Sequence, residues 1–437
     1  MDPVEYSRQY GGKIQVIPKV PLKSYDDFAI IYTPGVAEVS RAIAKDEDLS
    51  FELTSRGNTI AVLTNGTRVL GLGAIGPVAG LPVMEGKALI YKYLGGVDAF
   101  PLAVKAETAE DLVSVAQAVE PSFGGINLED VESPMCFEVW ETLLQKLRIP
   151  VWHDDQHGTA GAVLAALINA LKLVGKSKSD VKVVLFGAGA ANIRTAYILI
   201  EYGFDPKKLV LIDSTGPLYA NRQDIDRLMF RHKWKYDLAI RTNSENAVTV
   251  EDAFKGADVL IAASRPGPGT IKSHWIKLMN DRPITFLLAN PVPEIMPEEA
   301  RQAGAYIIAT GRSDFPNQVN NSLVFPAVFR GILDSRSAKV DDLIVIAAAE
   351  ELAKQAELRG LSTDYVIPTM DEWEVFVEEA AAVADAAVRL GYARVKMSRE
   401  DFRDLAKTRI ERSRRMLQQI MPLLLEHEKN ESRKERA

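Results

Sequence analysis

Two short apolar runs in this chain end in pairs of acids. "FGGINLEDV" delivers Glu129 and Asp130, and "RIPVWHDDQHGT" delivers Asp154 and Asp155. One acid pair at the end of one strand reads as solvated turn residues. Two pairs, both leaving apolar strands ahead of a further domain, read differently, because converging carboxylates repel unless a cation or a proton compensates them. Oxygen ligands without a cluster of His or Cys point to Mg2+ or Mn2+ rather than Zn2+. His153 and His157 flank the second pair, either as further ligands or as supports for the turn.

A second chemistry is written in glycine. "GLGAIG" (Gly71, Gly73, Gly76) matches the spacing of a dinucleotide fingerprint in full, whereas "GAGAAN" (Gly187, Gly189, Ala190, Ala191, Asn192) has Asn192 where the third glycine belongs. Context favours the imperfect match. A dinucleotide site needs a strand, a tight turn whose N–H groups meet the pyrophosphate at a helix N-terminus, and an acid closing the next strand for the ribose. Gly187 follows the apolar "KVVLF", a helical pattern follows Asn192, and Asp213 closes "KLVLID". Gly76 is followed by Pro77 and has no acid-ended strand at the right distance, so the first cluster reads as a close-packed loop on the other side of the cleft. Asn192 puts the approach of that helix to its strand in question.

These residues need a frame. "YTPGVAEVSRAIAKD" predicts a helix starting at Pro34 with Thr33 as its cap and Tyr32 just ahead of it. "TIAVLTNGTRVLGLG" predicts a β-hairpin turning at Asn65-Gly66, with Arg68 directly after the turn. From Thr159, Val163, Leu164, Leu167, Ile168, Leu171 and Val174 recur at helical spacing until Gly175 stops them. Strands and crossovers then alternate through "VKVVLFG", "KLVLID", "ADVLIAAS", "ITFLLAN" and "AYIIAT", which argues for a parallel, doubly wound sheet. The last hundred residues read as helices. The expected division is residues 1–158, 159–335 and 336–437. In the tail, Leu405, Ile410, Leu417, Ile420 and Leu424 stand among charges of both signs, which reads as a packing or subunit-contact helix rather than a membrane-surface one.

At 437 residues, 47% hydrophobic and 25% charged, the chain has the composition of a globular protein with more than one sizeable core. A net charge of −7 gives no reason to expect nucleic acid or an anionic membrane as partner. Cys136 is the sole cysteine, so no internal disulfide is possible, and it reads as a small buried hydrophobe. The first residues lack the apolar stretch of a signal peptide and no apolar run reaches membrane-spanning length, so the expected location is the cytoplasm.

The chain resembles the malic enzyme family in its short prokaryotic form. "YTPGVAEVS", "RVLGLGAIG", "GLPVMEGKALIY", "FGGINLED", "HDDQHGTA", "SRPG", "LANPVPE" and "VNNSLVFPA" carry the resemblance, in order from Tyr32 to Ala327. It implies an α/β fold, with a malic-enzyme-type N-terminal domain, a doubly wound, Rossmann-like NAD(P)-binding domain and C-terminal helices. It implies oxidative decarboxylation of L-malate to pyruvate and CO2 by a homodimer or higher homo-oligomer, with malolactic chemistry or another metal-dependent oxidative decarboxylation of a β-hydroxyacid as the alternative. By motif, Glu129, Asp130 and Asp155 would hold Mg2+ or Mn2+, which would chelate the C2 oxygen and C1 carboxylate of malate. Lys87, neutral and partnered by Asp154, would take the C2 hydroxyl proton, and Tyr32 would deliver a proton to C3. Arg68 would clamp a substrate carboxylate, and Asn290 and Asn321 would line the substrate and nicotinamide pocket. The resemblance admits NAD or NADP with an acid at Asp213. Ser214 and Thr215, which follow it directly, are candidate donors to a 2′-phosphate, and Arg222 reads either as a further partner of that phosphate or as a solvated helix arginine.

Overall fold

A computed structural model describes the backbone of residues 2–434 and the side chains of residues 2–424. Two parallel sheets organise it. The first has four strands, β1 (Thr59–Thr64), β2 (Asp98–Ala103), β3 (Gly125–Leu128) and β4 (Val151–His153), in the order β2-β1-β3-β4. All its pairings are parallel. Parallel strands are covered on both faces and read as continuous apolar runs, and Ile60, Ala61, Val62 and Leu63 are each fully buried. The helices Pro77–Gly95, Ala109–Val119 and Met135–Lys146 make the crossovers.

The hairpin expected at Asn65-Gly66 does not form. β1 has parallel neighbours on both edges, which leaves no edge for a returning antiparallel strand. Residues 65–76 instead loop out of its C-terminal end. Gly66 closes the neck of that loop: its φ is +67°, its carbonyl accepts from Gly76 N at 3.1 Å, and a Cβ there would lie 2.3 Å from the Gly76 carbonyl carbon.

The second sheet has the order β10-β9-β8-β5-β6-β7, from β5 (Val183–Phe186), β6 (Leu209–Asp213), β7 (Gly216–Pro217), β8 (Val259–Ala262), β9 (Ile284–Leu287) and β10 (Ile307–Thr310). Only the two-residue edge strand β7 is antiparallel. This is the doubly wound sheet read from the sequence, with the helix Ala190–Glu201 crossing from β5 to β6. The helix Thr159–Val174 begins where its periodicity begins and ends at Gly175, whose φ of 66° is left-handed. The apolar segment Asp154–Val174 has the length and composition to cross a membrane, but 78% of its most apolar stretch is buried inside the protein, where Thr159–Val174 packs against Asp342–Arg359 and Ala190–Glu201.

The C-terminal helices join the halves. Asp342–Arg359 packs on Thr159–Val174, Glu374–Arg389 packs on Phe325–Asp334, and Arg399–Lys434 packs on both Glu374–Arg389 and Pro77–Gly95. One hydrophobic core runs continuously from Ile60 to Ile410. The N-terminal arm is the exception, since the helices Pro3–Tyr10, Asp27–Ile31 and Val36–Lys45 bury none of their residues. The last of these starts two residues later than expected, with no cap from Thr33. Residues 33–35 first fold back on the preceding helix, where Gly35 N donates to Ala29 O at 2.9 Å and a Cβ on Gly35 would meet Ile30 O at 2.4 Å.

Candidate active site

The acid pairs meet at the C-terminal ends of β3 and β4, where ligands bind to parallel sheets. Glu129, Asp130 and Asp155 each offer a carboxylate oxygen within 4.8 Å of the others. Asp130 takes a left-handed backbone, φ 55°, which Asp tolerates better than most residues. That bend lets its N–H donate to Asp155 Oδ2 at 3.0 Å. Its Oδ2 is buried with no hydrogen-bond partner. A buried, unsatisfied carboxylate oxygen facing two further carboxylates is costly unless a cation compensates it, so these residues fit a hard divalent ion.

Lys87 reaches the same place from the helix Pro77–Gly95. Its Nζ donates to Asp154 Oδ2 and, at 2.9 Å, to Glu129 Oε1, and lies 4.3 Å from the centroid of the Phe325 ring. Neighbours the sequence reading did not single out fix both acids. Tyr91, one helical turn beyond Lys87, donates to Asn127 Oδ1 at 2.8 Å, and Asn127 Nδ2 donates to Glu129 Oε2 at 2.9 Å. Trp152 Nε1 donates to Asp154 Oδ1 at 2.9 Å. Spacing was the available signal: Tyr91 is i+4 from Lys87 on a helix, and Asn127 and Trp152 are each i−2 from their acid on a strand face.

Burial pushes all three clustered carboxyls up: Glu129 well above its usual range, Asp155 to about 7 with Asp130 adding to the effect, and Asp130 to about 6. Burial alone would lower Lys87, but the charges and hydrogen bonds of Asp154 and Glu129 outweigh it and hold the group above its ordinary value. The expected neutral lysine is therefore an ammonium while those two carboxylates face it. His153 and His157 are fully buried, and burial pushes His153 down to about 3 and His157 well below its ordinary value. His157 Nδ1 bonds the His153 carbonyl at 3.0 Å, which is a supporting role.

At the second sheet, Gly187 has φ +99°, and a Cβ there would lie 2.4 Å from Ala263 O. A Cβ on Gly189 would meet nothing within 4 Å, and the helix Ala190–Glu201 that follows has no side-chain cap. Ala190 and Ala191 are half-buried on its first turn. This is a turn whose N–H groups are left for a phosphate. Asn192 does not hold the helix away from the sheet. Its Nδ2 donates to Phe186 O at 3.1 Å and to Ile261 O at 3.2 Å, tying the helix to the strand ends a third glycine would merely touch.

Asp213 ends β6 as expected, but Arg222 is not the solvated helix residue its sequence context allowed. It is 6% exposed, its Nη1 and Nη2 donate to the two Asp213 oxygens at 3.0 Å each, and it also pairs with Asp224. Lys235 Nζ stands 3.6 Å from Asp213 Oδ2.

The two asparagines expected to line the pocket stand beside the first glycine loop and the carboxylate turn. Asn290 O would be 2.6 Å from a Cβ on Gly71, so the first glycine loop packs against it, and Asn321 Cβ would be 2.8 Å from a Cβ on Gly158, beside Asp154. Arg68 is exposed, its N–H donates to Asp130 O at 3.0 Å, and its charge is felt by the Asp130 carboxyl. Tyr32 is not brought to the cluster. It is 69% exposed, on an arm that buries nothing.

Family models described as the malic enzyme NAD binding domain and the malic enzyme N-terminal domain match residues 156–388 and 11–112. The bifunctional malic/malolactic enzyme of Bacillus subtilis is 44% identical over 399 residues, covering 91% of this chain and 95% of its own. The NAD-dependent malic enzyme of Geobacillus stearothermophilus is 44% identical over 88% of this chain and 78% of its own. The NADP-dependent malic enzyme of Halomonas elongata is 39% identical over 89% and 93%. Among solved structures, the Entamoeba histolytica malic enzyme superposes with a TM-score of 0.94 at 44% identity, covering 96% of this chain and 87% of that one.

Proposed function

The chain belongs to the malic enzyme family, and from that premise we propose how its residues divide the work. It is an NAD(P)-dependent, decarboxylating oxidoreductase that converts malate to pyruvate and CO2. The observation that carries the assignment of roles is the meeting of Lys87 with Asp154 and Glu129 beside Asp130 and Asp155 at one pair of strand ends.

Glu129, Asp130 and Asp155 are the residues to hold Mg2+ or Mn2+. When bound, the ion supplies positive charge that neutralises these carboxylates and polarises the substrate's C2 oxygen. Lys87 is the base for the C2 hydroxyl. With Glu129 engaged elsewhere, Asp154 is its remaining counter-charge, and its ammonium gives up a proton more readily than it does between two free carboxylates. Trp152 keeps Asp154 aimed at Lys87, and Tyr91 with Asn127 keeps Glu129 turned toward the cluster. Arg68 reaches for a substrate carboxylate from the loop above Asp130, while Asn290 and Asn321 wall the cleft on the nicotinamide side. Gly187, Gly189, Ala190 and Ala191 receive the pyrophosphate at a helix N-terminus, and Asn192 fixes that helix to the sheet. Residues 1–158 thus supply metal and acid–base groups, 159–335 the dinucleotide site, and the described side chains of 336–424 the packing between them.

Tyr32 donates the proton to C3, and the cytoplasm is where the enzyme works. Because the N-terminal arm buries none of its helical residues while exposing Val16, Val20, Tyr25 and Ile30 by half or more, the arm is covered by a second copy, and Tyr32 reaches a cleft on assembly. The test of the function is direct: mix protein, L-malate and Mn2+ with NAD or NADP, follow absorbance of the reduced cofactor and measure pyruvate. Lactate in the same mixture, without net reduced cofactor, would instead establish the malolactic reaction named for the Bacillus relative.

A further inference from the structure

Arg194 takes no part in the chemistry above, yet it is a buried cation between the two halves of the site. It lies on the second turn of the helix Ala190–Glu201, just past the turn that begins at Gly187, and is 6% exposed. Its Nε and Nη2 donate to Gln156 Oε1 at 3.3 and 3.1 Å, and its Nη1 donates to the two Asp342 oxygens at 3.2 and 3.1 Å. The guanidinium sits 4.5 Å from the centroid of the Trp140 ring. Gln156 is the middle residue of the π-helical turn Asp154–Gly158, which carries Asp154 and Asp155, and its own Nε2 donates to Cys136 O at 3.3 Å.

A guanidinium presents its donors in one rigid plane, so a single group sets the angle between the dinucleotide helix and the carboxylate turn. Were Arg194 only an anchor between helices, its pair with Asp342 would suffice. Two of its donors are instead spent on a neutral amide whose neighbour, Asp155, faces the metal cluster. We propose that Arg194 is a positioning residue that couples dinucleotide binding at the Gly187 turn to the geometry of Asp154 and Asp155. A phosphate held by the first turn of the helix steadies Arg194, Arg194 steadies Gln156, and Gln156 fixes the turn from which both acids leave. Coupling of this kind is reciprocal between the two ligands.

The inference rests on reading Glu129, Asp130 and Asp155 as the cation ligands and the Gly187 turn as the dinucleotide site. Its test is the affinity for Mn2+, read from the paramagnetic signal of the free ion, with and without saturating cofactor. Wild type should bind Mn2+ about fivefold or more tightly with cofactor present. Arg194→Met should reduce that ratio to about one. Arg194→Lys, which keeps a charge for Asp342 but not the fork, should melt close to wild type and still lose most of the ratio, while Gln156→Glu, which keeps an acceptor, should retain it. The ratio is taken within one variant, so a uniform loss of stability does not move it. Should Arg194→Met fail to fold, Arg194→Lys decides. Full coupling in Arg194→Lys, or a wild type that binds both ligands independently, overturns the inference and leaves the assigned ligands standing. A wild type that binds no Mn2+ overturns the cation reading and this inference with it.

Discussion

Lys87 is 7% exposed, and its ammonium is held by two carboxylates. Deleting it removes the proposed proton acceptor and also leaves Asp154 and Glu129 facing each other uncompensated. Lys87→Ala should therefore lose about 10²- to 10⁴-fold in malate oxidation, checked by initial rates at saturating Mn2+ and cofactor. Turnover near wild type would remove Lys87 from the mechanism. Arg222 acts at the other end of the site. A bare Asp213 would accept the ribose hydroxyls of NAD and repel the 2′-phosphate of NADP, but here its charge is matched by the Arg222 fork and approached by Lys235. Turnover with both NAD and NADP is the expected outcome. Arg222→Ala should lower kcat/KM for NADP about tenfold or more and hardly change it for NAD, since ion pairing to a buried carboxylate is worth over 1 kcal/mol. Equal losses with both cofactors would show that Arg222 supports the loop without discriminating.

Among the elements, the ends of β3 and β4 hold carboxyls that keep their protons longer than free acids do, Asp130 to about pH 6 and Asp155 to about 7. A raised carboxyl binds its proton more tightly in the folded than in the unfolded chain. Its contribution to stability is thus present at low pH and is lost as pH rises through 6 to 7. A divalent ion competes with those protons and takes over once they leave. The rise in melting temperature caused by Mn2+ should then be small at pH 5.5 and several degrees larger at pH 8. The buried histidines shift the baseline at acid pH but cancel in this difference, because they are neutral in the fold with or without the ion. An equal rise at both values would sink the assignment. Legibility of these elements followed their patterning. β3, β4 and the doubly wound sheet were readable because buried parallel strands are continuous apolar runs with acids or glycines at their exits. The Asn65-Gly66 hairpin was misread because a dipeptide suited to a tight turn also suits the neck of a longer loop, and only the neighbours of β1 decide which one forms. Arg194 left no signal in spacing, and Arg222 was legible by its distance from Asp213 but its pairing with that acid was not, since the partners Asp342, Gln156 and Asp213 are assembled by the fold.

At the scale of the whole molecule, two apolar stretches, one towards each end of the described residues, stand exposed. One is on the Arg399–Lys434 helix, which buries Phe402, Ala406 and Ile410 against the body and then exposes Met421, Leu423 and Leu424. The other is the N-terminal arm with Tyr32. A tyrosine 69% exposed on an arm whose helices bury none of their residues does no acid–base work on malate where it stands, so its proposed role as proton donor requires assembly. If a second copy covers the arm, Tyr32 either folds back to its own Lys87 or enters the cleft of its partner. Co-expression of Lys87→Ala with Tyr32→Phe separates the two, with differently tagged chains so that the mixed dimer is isolated. Where Tyr32 crosses over, one site of the mixed dimer pairs an intact Tyr32 with an intact Lys87, and malate turnover should recover to about half of wild type. Where Tyr32 serves its own chain, both sites carry one lesion and turnover stays at the level of the single variants. The exposed arm favours crossing over, because a residue returning to its own cleft would have its contacts within the chain. Single variants alone distinguish nothing here, since each lesion inactivates both kinds of dimer equally. A mixed dimer no more active than its parents, eluting at the mass of two chains, would place Tyr32 with its own subunit and leave the arm as a contact surface only.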